Sequence, residues 1–168
     1  IRITLYRLAS NSNVVRALKN AVKNGKKVTV VMELQARFDE EANIFWANQL
    51  KEDGARVIYG FPDKKVHTKL CLILRKELGK TKYYAHIGTG NFHEDTAKIY
   101  CDWGLFTVDK RLTREVSNVF AFLENVHPSK PKFEHLFVGK FNLRDGFYKA
   151  IEQEMAHAHA GRPASMII

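Results

Sequence analysis

The sequence contains little cysteine and proline and no long hydrophobic run. Among its 168 residues are 2 cysteines and 4 prolines, and no segment approaches the roughly 18 to 20 consecutive apolar residues that cross a bilayer. Cys71 and Cys101 have no partner at CxxC spacing, so no thiol metal site or redox motif is indicated. We expect both to be buried thiols, consistent with a reducing, cytoplasmic compartment.

Acidic residues are too few to balance the basic ones. Lysine and arginine number 27 against 18 aspartates and glutamates, which gives a net charge of +9 and a pI near 9.6. Such an excess accelerates encounter with a polyanion, whether a phosphate chain, nucleic acid or an anionic membrane surface. It does not choose among them, and a solvated basic surface is the alternative. With 45% apolar residues, the chain has enough apolar material for one core.

The first sixty residues alternate between strand and helix patterns. We predict strands at 1–6, 28–33 and 56–59, separated by two helices that end at Gly25 and Gly54. Asp39 is the predicted cap of the second helix, which carries acidic residues in its first turn. The order βαβαβ predicts an α/β fold with parallel strands.

Two arginines follow predicted strands directly. Arg7 and Arg37 both lie just beyond the carboxyl end of a strand, on the edge where open α/β sheets bind ligands. If a strand beginning at His67 runs the opposite way, His67 lies on the same edge. The alternative for either arginine is a surface ion pair, for instance between Arg37 and Asp39 or Glu40.

The middle of the chain predicts a β-hairpin. Segments 67–74 and 82–87 are rich in strand-forming residues, and the polar linker between them contains Gly79. With the turn centred near Leu78 and Gly79, antiparallel pairing brings His67 opposite the segment 89–90.

This hairpin collects residues suited to phosphate chemistry. His67 and Lys69 are two apart on one strand and therefore project from the same side. A neutral imidazole can attack phosphorus, and the lysine can neutralise charge on the phosphoryl oxygens. Gly88 and Gly90 allow close backbone approach to an anion, and a helix beginning after Asn91 would add its positive end. The alternative is an ordinary strand histidine beside an ordinary turn.

These motifs resemble the signature of the phospholipase D superfamily. In that signature a histidine-x-lysine motif precedes an aspartate and a GSxN-like turn; Leu74 stands here where the aspartate would fall. The chain resembles more closely, along nearly its whole length, the carboxy-terminal catalytic region of bacterial polyphosphate kinases, in which the missing aspartate is normal. The matching segments are 3–7, 33–43, 66–69 and 84–92.

The resemblance implies a fold and a set of site residues. The fold is a phospholipase D-like domain with a mixed, largely parallel sheet flanked by helices. His67 matches a histidine that becomes phosphorylated, and Tyr100, a core candidate by sequence alone, matches a nucleotide-contacting position. Arg7 and Arg37 match arginines associated with Mg²⁺. Because a guanidinium has no lone pair for a cation, we expect both to contact phosphate and any metal contact to be indirect.

The resemblance also implies a larger protein. We expect a first catalytic domain at 1–127, and a linker with the truncated, helical start of a second domain at 128–168. The chain begins at Ile1, inside a predicted strand, which favours a piece excised from a larger protein. Because most of the second domain is missing, we expect this piece to be inactive by itself. The implied partners are ATP or ADP with Mg²⁺, inorganic polyphosphate, the rest of the parent chain and further copies in a homo-oligomer, with no nucleic acid required; the full enzyme's membrane association is left open.

Two other functions are open. One is a phosphodiesterase of the phospholipase D type that acts on lipid or nucleic acid through the same histidine. The other is a polyanion-binding module without catalysis, in which loss of His67 leaves binding and its steep salt dependence in place.

Overall fold

The computed structural model describes residues 1–36, 39–61, 64–125 and 131–167. The chain divides into two compact units, Ile1–Ser129 and Lys130–Ile168. The first unit contains one six-stranded sheet with the strand order β3-β2-β1-β4-β5-β6.

Parallel strands form one side of the sheet. Strand β1 pairs with β2 and β2 with β3, in both cases parallel. The elements are β1 (Arg2–Leu5), α1 (Asn13–Lys23), β2 (Thr29–Met32), α2 (Glu40–Glu52) and β3 (Arg56–Tyr59). The predicted βαβαβ order is confirmed, and each helix ends near a glycine in the left-handed region, Gly25 and Gly54.

Antiparallel strands form the other side. A regular ladder joins β4 (Lys69–Glu77) to β5 (Lys80–Gly88), and β6 (Gly104–Thr107) pairs with β5. Leu78 and Gly79 have φ of 48° and 75°, as a two-residue primed turn requires. The predicted hairpin is confirmed, but β4 begins at Lys69. His67 therefore lies in the segment that leads into the strand.

Helices cover both faces of the sheet. Helices α1 and α2 lie on one face over a cluster of buried apolar side chains that includes Ile3, Val30 and Leu50. On the other face α3 (Lys110–Leu123) packs against β4 and β5. Its buried stripe consists of Val116, Val119, Phe120 and Leu123. Burying each such side chain contributes roughly 1.5–3 kcal/mol, so this core fixes the sheet whose edge carries the site. The predicted α/β fold is confirmed, with parallel pairing confined to three strands.

The segment between Asn91 and β6 is irregular, one of the two forms open from its sequence, the other being a short helix. A 3₁₀ turn at Thr96–Lys98 is its sole helical piece, and no α-helix begins after Asn91 in the described chain. Glu94 instead caps another helix, since its Oε1 accepts hydrogen bonds from the backbone N–H groups of Asn13 (2.6 Å) and Val14 (3.2 Å). The positive helix end expected beside Asn91 is therefore absent from this part of the structure.

The two cysteines have different environments. Cys71 is half-buried in β4, and burial raises the pKa of its thiol. Cys101 is exposed in the loop before β6, so the prediction that it is buried is wrong. Its apolar surroundings in sequence belong to a loop and not to a strand.

The second unit contains helix α4 (Leu143–His159). Asn142 precedes it, and its side-chain amide donates to the carbonyl oxygens of Phe133 and Leu136 while its Oδ1 accepts from the Val138 N–H. Gly161, at φ 67°, follows the helix end. Across the described ranges, no helix has the length and apolarity needed to cross a membrane.

Candidate functional site

The site lies where β1 and β4 separate. The backbone ladder between these strands includes the pair Ile3 and Cys71. Beyond this pair the Thr4 side chain joins the two segments in place of backbone pairing. Its Oγ1 accepts from the Leu70 N–H (3.0 Å) and donates to the Thr68 carbonyl (2.6 Å). The strand order changes direction between β1 and β4: from β1 the sheet extends outward through β2 and β3 on one side, and from β4 through β5 and β6 on the other. Open α/β sheets form a ligand crevice at such a switch point.

His67 and Lys69 meet in this crevice. The Lys69 Nζ lies 3.0 Å from both ring nitrogens of His67, so the ammonium lies directly against the imidazole. Nζ also donates to the His67 carbonyl oxygen at 2.6 Å. Lys69 is only 4% exposed. The prediction that both side chains lie on one side of the chain is confirmed.

Tyr6 forms one wall of the site. Its ring packs edge-on against the His67 imidazole, with centroids 4.6 Å apart and planes at 77°. The Lys69 Nζ lies 5.3 Å from the ring centroid and the Arg7 Cζ 5.9 Å from it. An aromatic face attracts cations at such distances, so Tyr6 holds two positive groups beside the imidazole.

Burial and clustered positive charge lower both pKa values at the site. Burial lowers the pKa of His67 from its ordinary value, and Lys69, Arg7 and Lys65 lower it further. Burial also lowers the pKa of Lys69, to about 8, against an opposing effect of Asp102 and with a further lowering by Arg7. The imidazole is therefore neutral at pH 7 while the lysine is still mostly charged. These are the protonation states that attack on phosphorus requires.

The turn from Gly88 to Asn91 is built differently from the expectation. The Thr89 N–H donates to the Trp103 carbonyl (3.0 Å) and is thus used by the protein itself. Gly88 and Gly90 are not among the glycines with positive φ. A Cβ on Gly88 would meet the His86 ring, so here glycine provides space. Asn91 Oδ1 is buried with no hydrogen-bond partner among the described residues, and its amide stays a candidate for phosphate contact.

Asp102 is a site residue that the sequence motifs did not reveal. Its carboxylate fills the space beside Gly90, which any side chain at that position would occupy. Its Oδ1 accepts from the Thr89 hydroxyl at 3.0 Å. Its charge raises the pKa of Lys69. Asp102 is thus the negative group that balances the basic crevice, and its distance from both motifs in sequence hid it.

The predicted arginines have separate outcomes. Arg7 lies at the expected edge, and its Nη1 contacts Asp39 Oδ2 at 2.6 Å. Asp39 occupies the predicted N-cap position of α2, but its side chain makes no capping hydrogen bond and accepts from Arg7 instead. Arg37 lies outside the described residues.

No group of three potential metal-binding side chains occurs in the described chain, and a guanidinium cannot coordinate a cation.

Tyr100 lies in the loop between the 3₁₀ turn and β6. It is 66% exposed, so the alternative that it belongs to the core is wrong. Its ring is accessible to a ligand.

Two buried polar residues anchor the loops around the site. Asn43 donates from Nδ2 to the carbonyl oxygens of Tyr6 and Glu33, both at 2.8 Å, and so joins the ends of β1 and β2. Glu33 accepts from the Val66 N–H (2.8 Å) and the Gln35 N–H (2.9 Å). Neither residue was expected from sequence, because nothing in the local sequence distinguishes a buried asparagine or glutamate from an exposed one.

The fold and the crevice define an α/β, phospholipase D-like domain with a basic histidine–lysine site at the switch point of its sheet. Comparison with known proteins identifies the family to which this domain belongs. A sequence profile described as Polyphosphate kinase C-terminal domain 1 matches residues 1–129. The polyphosphate kinases of Vibrio parahaemolyticus and Escherichia coli are 52% and 50% identical to the chain over 169 residues. The crystal structure of polyphosphate kinase from Porphyromonas gingivalis superposes with a TM-score of 0.81 at 38% identity, over 95% of this chain and 27% of that one.

The chain belongs to the polyphosphate kinase family. It is matched over its full length but spans 24% of each of the two relatives.

Proposed function

We propose that the chain is the first catalytic domain of a polyphosphate kinase, with the opening of the second at 128–168, and that it transfers the ATP γ-phosphate to polyphosphate through a phosphohistidine at His67. The observation that carries the proposal is the neutral imidazole 3.0 Å from the buried Lys69 ammonium. Membership in the family supports the substrates, and the crevice at the sheet edge supports the site.

The first step is in-line attack of a His67 ring nitrogen on the γ-phosphorus. A nitrogen–phosphorus bond forms, the bond from phosphorus to the bridging oxygen breaks, and ADP leaves with the electron pair. In the structure the Lys69 ammonium lies 3.0 Å from the ring nitrogens. Incoming phosphate oxygens attract that ammonium, which places the lysine charge on the transferring group.

The second step reverses this exchange with a new acceptor. A terminal oxygen of polyphosphate attacks the phosphorus, the nitrogen–phosphorus bond breaks, and neutral His67 is regenerated. A phosphoramidate suits such a relay because it passes its phosphoryl group on in either direction. Lys69, Arg7 and Arg37 hold phosphate charge, Asn91 with the Gly88 and Gly90 backbone provides secondary contacts, and Tyr100 contacts the nucleotide.

Magnesium enters with the nucleotide in this proposal. Mg²⁺ prefers oxygen ligands and retains several waters, which phosphate oxygens supply and a guanidinium does not. The ion then belongs to the substrate, and the arginines reach it only through phosphate.

A labelling experiment tests the proposal. The full-length protein that contains this chain is mixed with ATP labelled in its γ-phosphate, and an acid-labile, base-stable protein adduct is expected. His67→Ala should abolish the adduct, whereas His159→Ala, an exposed histidine on α4, should leave it unchanged. Equal labelling of His67→Ala and the parent would show that the nucleophile is another residue.

The same protein separates the alternatives. Release of a headgroup from a phospholipid, or cleavage of a synthetic phosphodiester, would indicate a phosphodiesterase. Polyphosphate binding that survives His67→Ala with a steep salt dependence, in a protein that never forms the adduct, would indicate a binding module.

A further inference from the structure

The backbone on both sides of His67 is fixed by buried side chains. Residues 65–68 belong to no strand, so the β4 ladder does not hold the histidine in place. Two hydrogen bonds from elsewhere in the sheet region do so: Glu33, just after β2, binds the residue before the histidine, and Thr4, on β1, binds the residue after it.

Thr4 binds the carboxyl side of the histidine. It is 1% exposed, and its hydroxyl donates to the Thr68 carbonyl at 2.6 Å while accepting from the Leu70 N–H at 3.0 Å. The threonine thus substitutes for the strand pairing that stops at Ile3. Its position on β1, two residues before Tyr6, ties the histidine to the strand that also provides the aromatic wall.

Glu33 binds the amino side of the histidine. It is 3% exposed, and its two carboxylate oxygens accept separately, Oε2 from the Val66 N–H and Oε1 from the Gln35 N–H. Gly60 leaves room for this carboxylate, because a Cβ there would come within 3.1 Å of Oε2. Burying a carboxylate costs free energy unless its oxygens are hydrogen-bonded. The two backbone N–H donors therefore explain why a glutamate is tolerated at this buried position.

We propose that Thr4 and Glu33 are positioning residues that hold His67 from either side at the in-line attack geometry. This role rests on the proposed function, since it gives the transfer step a fixed nucleophile. Neither side chain touches the imidazole or substrate in this account; both act through the backbone. Displacing a reacting group by about 1 Å can cost on the order of 10²-fold in rate, so the two residues should govern the transfer step more than nucleotide binding.

Two substitutions remove the contacts with little change in shape. Thr4→Val deletes the hydroxyl and leaves both backbone partners unsatisfied. Glu33→Gln leaves one accepting oxygen and directs an NH₂ group at a backbone donor. In the full-length protein each should lower the rate of phosphohistidine formation from γ-labelled ATP by roughly 10- to 100-fold, with KM for ATP changed about twofold or less. Thr4→Ser, which keeps the hydroxyl, should restore most of the rate.

Matched controls separate positioning from general stability. Thr113→Val removes a hydroxyl from another buried threonine, on α3. Glu124→Gln weakens a carboxylate that pairs with Arg2 and Arg56 at the opposite end of the strands. Glu124→Gln should lower the unfolding temperature, and neither control should show a selective fall in the labelling rate.

Amide hydrogen exchange in the segment around His67 provides a readout independent of turnover. Because Glu33→Gln leaves one accepting oxygen for two backbone donors, it should make the Val66 or the Gln35 amide exchange about tenfold faster, since about 1.4 kcal/mol of lost hydrogen bonding corresponds to a factor of ten. Unchanged exchange, or labelling rates that fall no further than in the two controls, would overturn the positioning role. A parent protein that forms no adduct at His67 would instead refute the proposed function, and the exchange result would still decide whether the segment is held by Glu33.

Discussion

Two lysines on one β-hairpin have opposite electrostatic environments. At the turn end of the β4–β5 hairpin, the Lys82 side chain is 59% exposed, and its Nζ lies 3.3 Å from Glu77, which raises its pKa. At the other end Lys69 is buried beside His67, and burial lowers its pKa to about 8. The same side chain is thus a paired surface ion at one end and, at the other, a buried charge balanced only from a distance by Asp102.

The difference shows which end of the hairpin is suited to bind an anion. An exposed pair such as Lys82 with Glu77 is satisfied and screened by water, and it contributes little. Among the described residues the direct contacts of the buried Lys69 ammonium are an imidazole, a carbonyl oxygen and an aromatic ring, with no carboxylate in contact. Such a charge is stabilised by an arriving anion. Perturbed pKa values with a named physical cause are typical of functional sites, and only the Lys69 end has them in a crevice.

The largest expected effect comes from removing each lysine in turn. Lys69→Met should lower phosphohistidine formation by on the order of 10²- to 10³-fold, the usual consequence of losing one preorganised charge at a transition state. Lys82→Met should leave the rate unchanged. Single-turnover labelling in the full-length protein measures both. Similar rates for the two variants would remove the distinction between the two ends of the hairpin.

The pH dependence of kcat/KM should show the same contrast. Below the lowered pKa of His67 the ring is protonated and cannot attack, so the rate falls as the pH falls. As the pH rises through about 8, Lys69 loses its charge and the rate falls again. Lys69→Arg keeps a charge throughout this range and should abolish the alkaline limb, whereas Lys82→Arg should retain it. An alkaline limb that persists in Lys69→Arg belongs to another group.

A smaller shift is expected from the carboxylate opposite Lys69. The negative charge of Asp102 raises the pKa of Lys69, so Asp102→Asn should move the alkaline limb to lower pH. Asp95→Asn is the control, because that carboxylate pairs with Lys98 on the surface. The pH profile of kcat/KM measures the shift. A limb that stays in place in Asp102→Asn would show that Asp102 does not act on Lys69.

Local patterns in the sequence predicted the framework of the site. The βαβαβ order, the turn at Leu78 and Gly79, and the common side of His67 and Lys69 all follow from periodicity and turn chemistry within short windows. The position of Arg7 beyond a strand followed from the same pattern. These features needed no knowledge of long-range contacts.

The contacts that tune the site could not be predicted from such windows. Thr4, Glu33 and Asp102 reach their partners across tens of residues through single hydrogen bonds or charges, and no periodicity marks them. The backbone of the segment 88–90 was expected to approach an anion, but the Thr89 N–H pairs with Trp103 in the segment before β6, a pairing that no local pattern indicates. Likewise no local pattern shows that Glu94, in the segment where a helix could have begun, caps α1.

The most direct test of the account is to locate the phosphoryl group itself. After brief exposure of the full-length protein to ATP, the adduct is fragmented under alkaline conditions that preserve phosphohistidine, and the modified residue is identified by mass spectrometry. We predict a single phosphoryl group on His67, at parent-like occupancy in Lys82→Met and strongly reduced occupancy in Lys69→Met. Phosphate on any other residue, or occupancy at His67 indifferent to Lys69, would contradict the assignment of this crevice as the transfer site.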